Sequence, residues 1–327
     1  MRKYILLFLF TNFYIVAYNQ VIIGTILDKQ TKSTISFVTV YFSGTFVGTT
    51  SDQDGNFELD ITKYTSRPLT ISAVGYYSFT LTDFSTGEPC MIYLTPKVYE
   101  IEEVSVSAKS LARKRKVNLR LFKKEFLGTS YNARKCEIIN EDDITFNYGS
   151  DDDTLKVFAL NQILIYNKTL GYHITYYLDK FEYDKKSKTT SFTGDIIFNE
   201  DLIINETNKR SYERRRRYAY SGSRMHFFRA LWTDDLKSTR FTIKNSADEE
   251  LKYEDVVIQE DNNRKFLKYT ENLDIYYFSS WSPTSFLKEQ VLFEQDGFFD
   301  PSGILWRGQM SRKRIADWLP YEYSIGY

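Results

Sequence analysis

The stretch Thr49–Leu59, TTSDQDGNFEL, decides how the first hundred residues fold. Its Asp52-Gln53-Asp54-Gly55 core fits either the start of a calcium loop or a turn between strands. An EF-hand loop needs alternating oxygen ligands and a bidentate Glu at position twelve. Counted from Asp52, that position is Lys63, a cation. The flanking segments alternate apolar and polar residues, as half-buried strands do, and Gly accepts the positive φ of a tight turn. The stretch therefore predicts a hairpin turn, with no metal and no cofactor attached to it.

Working outward, the chain from Val21 to Leu94 reads as short strands separated by turn residues, the pattern of a β-sandwich. The expected strands are Val21–Leu27, Ile35–Phe42, Phe46–Thr50, Asn56–Asp60, Leu69–Ala73, Tyr77–Leu81 and Met91–Leu94. Turns fall at Asp28-Lys29, Ser43-Gly44, Asp54-Gly55 and Val74-Gly75.

The segment IIGTILDKQTKSTISFVTVYFSGTFVGTTSDQDGNFELDI (Ile22–Ile61), with ISAVGYYSFTLT (Ile71–Thr82), resembles the carboxypeptidase regulatory-like domain. Gly24, Asp28, Val38, Val40, Gly48, Thr49, Asp52, Gly55, Phe57, Gly75 and Tyr76 fall on that family's pattern, with one extra residue before Asp52. The resemblance implies a seven-stranded, prealbumin-like sandwich without catalytic groups of its own, common in Gram-negative envelope proteins. In outer-membrane transporters such a domain precedes a strand that the coupling protein TonB captures. Glu103, Val104, Ser105 and Val106 alternate as such an edge strand would. The chain after Leu94 is too short for a transporter's plug and barrel.

The N-terminus bears on address. Arg2 and Lys3 precede a run of Ile, Leu, Phe and Val ending near Ala17, which has signal-peptide form and implies export. The chain carries 43 basic and 43 acidic residues. Without Arg2 and Lys3 the balance is slightly negative, which argues against nucleic acid as a partner. The 26 Tyr and 25 Phe suit pleated, half-buried surfaces. Cys90 and Cys136 are the two cysteines, and buried thiols are a simpler reading than a bridge between two domains. Between Lys109 and Lys124 lie eight basic residues and no acid, which suits either a solvated helix start or peripheral contact with the outer membrane.

Beyond Val117 the pattern is mainly β, with long paired runs at Tyr172–Tyr183 and Thr189–Phe198. Helical spacing marks Asn208–Tyr220 and Ser223–Leu236, and a last helix is expected over Ser311–Trp318. FLGTSYNARKCEIIN (Phe126–Asn140), ERRRRYAYSGSRMHFFRAL (Glu213–Leu231) and RIADWLPYEY (Arg314–Tyr323) resemble a group of envelope proteins with this layout and no assigned activity. The chain thus divides into a signal peptide at 1–17, the sandwich at 21–95, a linker at 96–117 and a β-rich α+β domain at 118–327.

Candidate chemistry is sparse. A zinc peptidase needs histidines and a carboxylate at fixed spacing, and neither His173 nor His226 has an acid placed to join it. Ser223 and His226 lie one helical turn apart, so a hydrolase would centre there, with Ser223 doubling as a helix cap. In the Arg214–Arg217 run, Arg215 beside tyrosines such as Tyr220 suits an anion or a sugar face, and Arg229 lies on the following helix. The expected protein is non-enzymatic, exported to the periplasm or outer membrane, and binds an envelope protein, peptide or glycan without a cofactor. A hydrolase of unfamiliar type and a TonB-associated accessory are the alternatives.

Overall fold

The computed structural model describes residues 20–64, 67–84, 88–97, 108–147, 153–201, 206–260 and 264–325. The expected signal peptide at 1–17 and the strand Glu103–Val106 lie outside them.

The N-terminal unit holds β1 (Val21–Asp28), β2 (Thr39–Tyr41), β3 (Gly48–Thr50), β4 (Asn56–Asp60), β5 (Leu69–Ser72), β6 (Phe79–Leu81) and β7 (Cys90–Leu94). They form two sheets, ordered β4-β1-β7 and β3-β2-β5-β6. Strict alternation along β1 turns Ile22 and Ile26 inward, where they meet Val38, Val40, Phe57, Leu69, Ile71 and Ile92. This is the expected seven-stranded sandwich.

The Asp52–Gly55 turn departs from expectation in its connection. Asp52 Oδ1 accepts from the N–H groups of Asp54 (2.9 Å) and Asn56 (2.8 Å), and Gly55 sits at φ +79°. Yet β3 pairs with β2 while β4 pairs with β1, so the turn carries the chain from one sheet to the other. The expected hairpin is corrected to a crossover. The cause is β1, whose Ile26 N–H donates to Gly55 O at 2.9 Å and draws the turn onto the other sheet.

Next come α1 (Ala108–Leu127), β8 (Cys136–Ile138), β9 (Ile144–Phe146), β10 (Thr154–Ala159), β11 (Ile163–Asn167), β12 (Tyr172–Asp184) and β13 (Thr189–Glu200). Long β12 pairs with β11 over Tyr172–Tyr176, with β10 over Glu182–Asp184, and with β13 along its length. Tyr172, Ile174, Tyr176 and Leu178 alternate along β12 and are all buried. Residues 108–117, expected as linker, are the first half of α1. That helix docks by an aromatic pair one turn apart: Phe122 and Phe126 stack at 4.9 Å and meet Phe181, Tyr176 and Phe192. Its basic face is partly used internally. Arg115 donates to the carbonyls of Ile144 and Glu141, and Lys123 pairs with Glu141.

The rest holds α2 (Glu206–Tyr220), α3 (Arg224–Trp232), β14 (Phe241–Lys244), β15 (Glu250–Leu251), α4 (Tyr253–Val256), β16 (Val257–Gln259) and β17 (Lys265–Leu267). It ends with β18 (Asp274–Tyr277), β19 (Ser280–Phe286), β20 (Val291–Phe293), β21 (Ile304–Trp306) and α5 (Gly308–Arg312). Two further sheets run β15-β14-β18-β19-β21 and β16-β17-β20. Phe227, Phe228 and Leu231 of α3 pack into this second core, whereas Met225 and the returning tail at Ile315, Ala316 and Leu319 join the core around β12. The expected 118–327 domain is therefore built on two cores with α3 between them.

The last helix also departs from expectation. It ends at Arg312, and Ile315–Asp317 form a single tight turn. Asp317 is buried and accepts from Ser130 Oγ (3.0 Å) and Asn132 Nδ2 (2.8 Å), contacts that a continued helix could not keep. Both thiols are free; burial pushes that of Cys136 up to about 12.

Candidate functional site

The α2–α3 junction gathers four of the five residues singled out for binding or catalysis. Gly222 turns the chain at φ +66°, against the ring of Tyr277, where an added Cβ would come within 2.5 Å. Ser223 then caps α3, its Oγ accepting from His226 N–H at 3.1 Å. The His226 ring lies against Tyr220 (4.6 Å), Phe241 (4.9 Å) and Tyr277 (5.6 Å). Its Nδ1 accepts the Gly222 N–H at 3.1 Å. Burial, with the charges of Lys313 and Arg229, lowers its pKa to about 4.

Arg229 spends its fork on three carbonyls: Asp296 O (2.7 Å), Tyr323 O (2.7 Å) and Tyr321 O (2.9 Å). It also lies over the Tyr220 ring at 5.4 Å. These contacts hold the C-terminal tail. The Ser223–His226 pairing expected of a hydrolase does not assemble, because the hydroxyl points to the backbone and the accepting nitrogen is already engaged.

Arg215 stands apart from this group. Its guanidinium lies 5.5 Å over Tyr131, an exposed ring, and not over the tyrosines of its own helix. Arg216 instead lies 5.9 Å over Tyr212 of that helix and 4.1 Å over Tyr172 of β12, and it donates to Leu170 O and Glu200. Helix geometry decides this, since consecutive residues point about 100° apart and Arg216 faces the β12–β13 hairpin.

A second polar cluster, unseen in the sequence, lies where the sandwich meets the rest. Arg67 is 2% exposed. Its Nε donates to Glu294 Oε2 at 2.8 Å and its Nη2 to Asp296. Its guanidinium sits 4.5–4.9 Å from the rings of Tyr64, Phe298 and Tyr321. Nearby, Glu322 Oε1 accepts from Tyr64 Oη (2.9 Å) and Phe46 N–H (3.0 Å). Backbone bonds finish the join: Gly44 N–H to Ile196 O (2.7 Å), Phe198 N–H to Thr45 O (3.1 Å) and Tyr321 N–H to Gly44 O (2.9 Å).

On the same seam Tyr41 stacks on Tyr177 at 5.5 Å, and Thr70 Oγ1 donates to Asp195 at 3.4 Å. Burial, then the charge of Asp179, raises the Asp195 pKa to about 6, against the hydroxyls of Ser43 and Thr70. Because the folded value exceeds the unfolded one, the protonated carboxyl favours the fold in acid. That contribution fades as pH rises from about 4 toward 6. Asp195→Asn should therefore stabilise the protein at pH 7.5 by about 1 kcal/mol, the two-unit shift being discounted for partial exposure. The gain should vanish at pH 4. Urea titrations at both pH values measure it, and an equal effect at both would contradict the assignment. An acid in the middle of an aromatic strand was the one sequence signal for this site.

Among the described residues no helix is long and apolar enough to cross a membrane. None of the curated proteins compared with this chain matches it. A crystal structure of a protein of unknown function from Bacteroides fragilis NCTC 9343, described as membrane-associated, aligns over 88% of this chain and 94% of its own. Identity is 10% and the TM-score 0.18, too weak a likeness to bear on the fold or function. The sandwich stands on firmer ground: residues 22–106, which run from the second residue of β1 past the end of β7, match the family model of the CarboxypepD_reg-like domain.

Proposed function

We propose that this chain is an exported cell-envelope protein that works by binding a protein, peptide or glycan, and not by catalysis. The observation behind this reading is the state of the Ser223–His226 pair, the nucleophile–base pairing offered by the sequence. Ser223 caps a helix, and His226 is neutral, enclosed by rings and engaged at Nδ1. A general base needs a free acceptor within reach of the proton it takes. The sandwich, joined to the remainder by Arg67 and the tail, serves as part of the same receptor body.

The test presents the purified mature protein with peptidoglycan fragments, lipopolysaccharide oligosaccharide and envelope peptides, alongside ester, peptide and glycoside substrates. Saturable binding without turnover is expected, retained in Ser223→Ala. Turnover abolished by Ser223→Ala or His226→Asn in a folded protein would overturn the proposal.

A further inference from the structure

Most buried cations here are spent. Arg67 meets two carboxylates, Arg229 three carbonyls, Arg216 a carbonyl and Glu200, and Lys313 the carbonyls of Tyr218 and Ala219. Arg224 and Arg314 differ. Among the described residues, neither guanidinium has an ion pair or a hydrogen bond, though both side chains are partly buried.

What each has is an aromatic ring. Arg224, the first residue of α3, lies 5.2 Å over Trp318 and 5.9 Å over Phe299. Arg314 lies 5.5 Å over Phe192. Phe192 and Trp318 stack on each other at 6.5 Å and 26°, so the two arginines flank one aromatic platform. Trp318 is fixed by its Nε1 donating to Lys313 O at 3.0 Å. Gly128 makes room for the Arg314 stem, since a Cβ there would come 3.2 Å from that of Arg314.

We propose that Arg224 and Arg314, held over the Phe192–Trp318 platform, bind a small oxyanion, a carboxylate or a phosphate carried by the ligand. A guanidinium stacked on a ring uses its face and leaves its edge donors free. Those edges match the paired oxygens of a carboxylate or phosphate. Two like charges on one partly desolvated platform repel each other, and an anion bound beside them offsets that cost. The Arg224 pKa, lowered to about 10 by burial and by the Arg314 charge, agrees with that cost. The other charged or titratable groups in their field are Glu125, which takes a hydrogen bond from Thr190 and pairs with Lys124, and Tyr321, whose hydroxyl stays protonated.

This rests on the binding reading and narrows its ligand to one with an acidic group. The mature protein is titrated with inorganic phosphate and, separately, with acetate, at ionic strength held constant with chloride, and tryptophan fluorescence is followed. Saturation by at least one anion is expected, weakened at least tenfold in Arg224→Gln and in Arg314→Gln, but unchanged in the exposed-residue control Arg240→Gln. Saturation by acetate alone identifies a carboxylate site, and by phosphate alone a tetrahedral one. If either Gln variant loses its near-UV circular dichroism, Arg224→Lys and Arg314→Lys carry the test, since Lys keeps the charge and loses the fork. No saturation by either anion, or unchanged affinity in the folded variants, overturns the site. Persisting glycan or peptide binding in that case would leave the broader reading standing.

Discussion

Arg67→Ala is expected to destabilise the protein by about 3–5 kcal/mol, the cost of removing one member of a buried ion pair. The penalty is not the worth of the lost bonds. It comes from leaving Glu294 and Asp296 in a place made for them by a cation. Burial already raises the Glu294 pKa, and the Arg67 charge is what opposes the rise. Three rings also lose the guanidinium packed against them. Urea denaturation at pH 7.5 measures the loss. The combination Arg67→Met with Glu294→Gln and Asp296→Asn should recover much of it, because no buried charge is then stranded. A single Arg67→Ala change costing less than 1 kcal/mol would mean that the seam is wet.

Phe126→Ala is expected to cost about 3–5 kcal/mol, the range for deleting a buried Phe ring. Phe126 is fully buried and touches Phe122 of its own helix, Tyr176 of β12 and Phe192 of β13. Phe122 is itself packed edge-on against Phe181 at 4.9 Å, which limits how far it can refill the space. The loss should appear both in the urea midpoint and in a drop of helical circular dichroism as α1 loosens. Unchanged stability would imply that α1 is a solvated helix and not a wall of the core.

What the sequence revealed follows from what is local. Strand alternation and turn residues marked all seven sandwich strands, and helical spacing placed Ser223 one turn from His226, where its hydroxyl caps the helix. The role of that group was harder to read. Whether His226 is a base or a packed ring depends on Phe241 and Tyr277, which arrive from later strands.

The misses share this cause. The Asp52–Gly55 turn looks like a hairpin in isolation, and only its bond from Ile26 sends it across to the other sheet. The first half of α1 carries Arg113, Lys114, Arg115 and Lys116 with little apolar periodicity, so it read as linker. Arg67, Asp195 and Arg314 gain their meaning from partners more than a hundred residues away, and no spacing rule reaches that far.

The join between the sandwich and the later strands is the premise on which the proposed single binding body depends. Scanning calorimetry of the protein tests it most directly. One transition is expected, with equal calorimetric and van't Hoff enthalpies, because the seam's backbone bonds and the Arg67 cluster tie both parts into one unfolding unit. Two resolved transitions, with the lower one unmoved by Arg67→Ala, would show that the parts fold separately and would contradict the account.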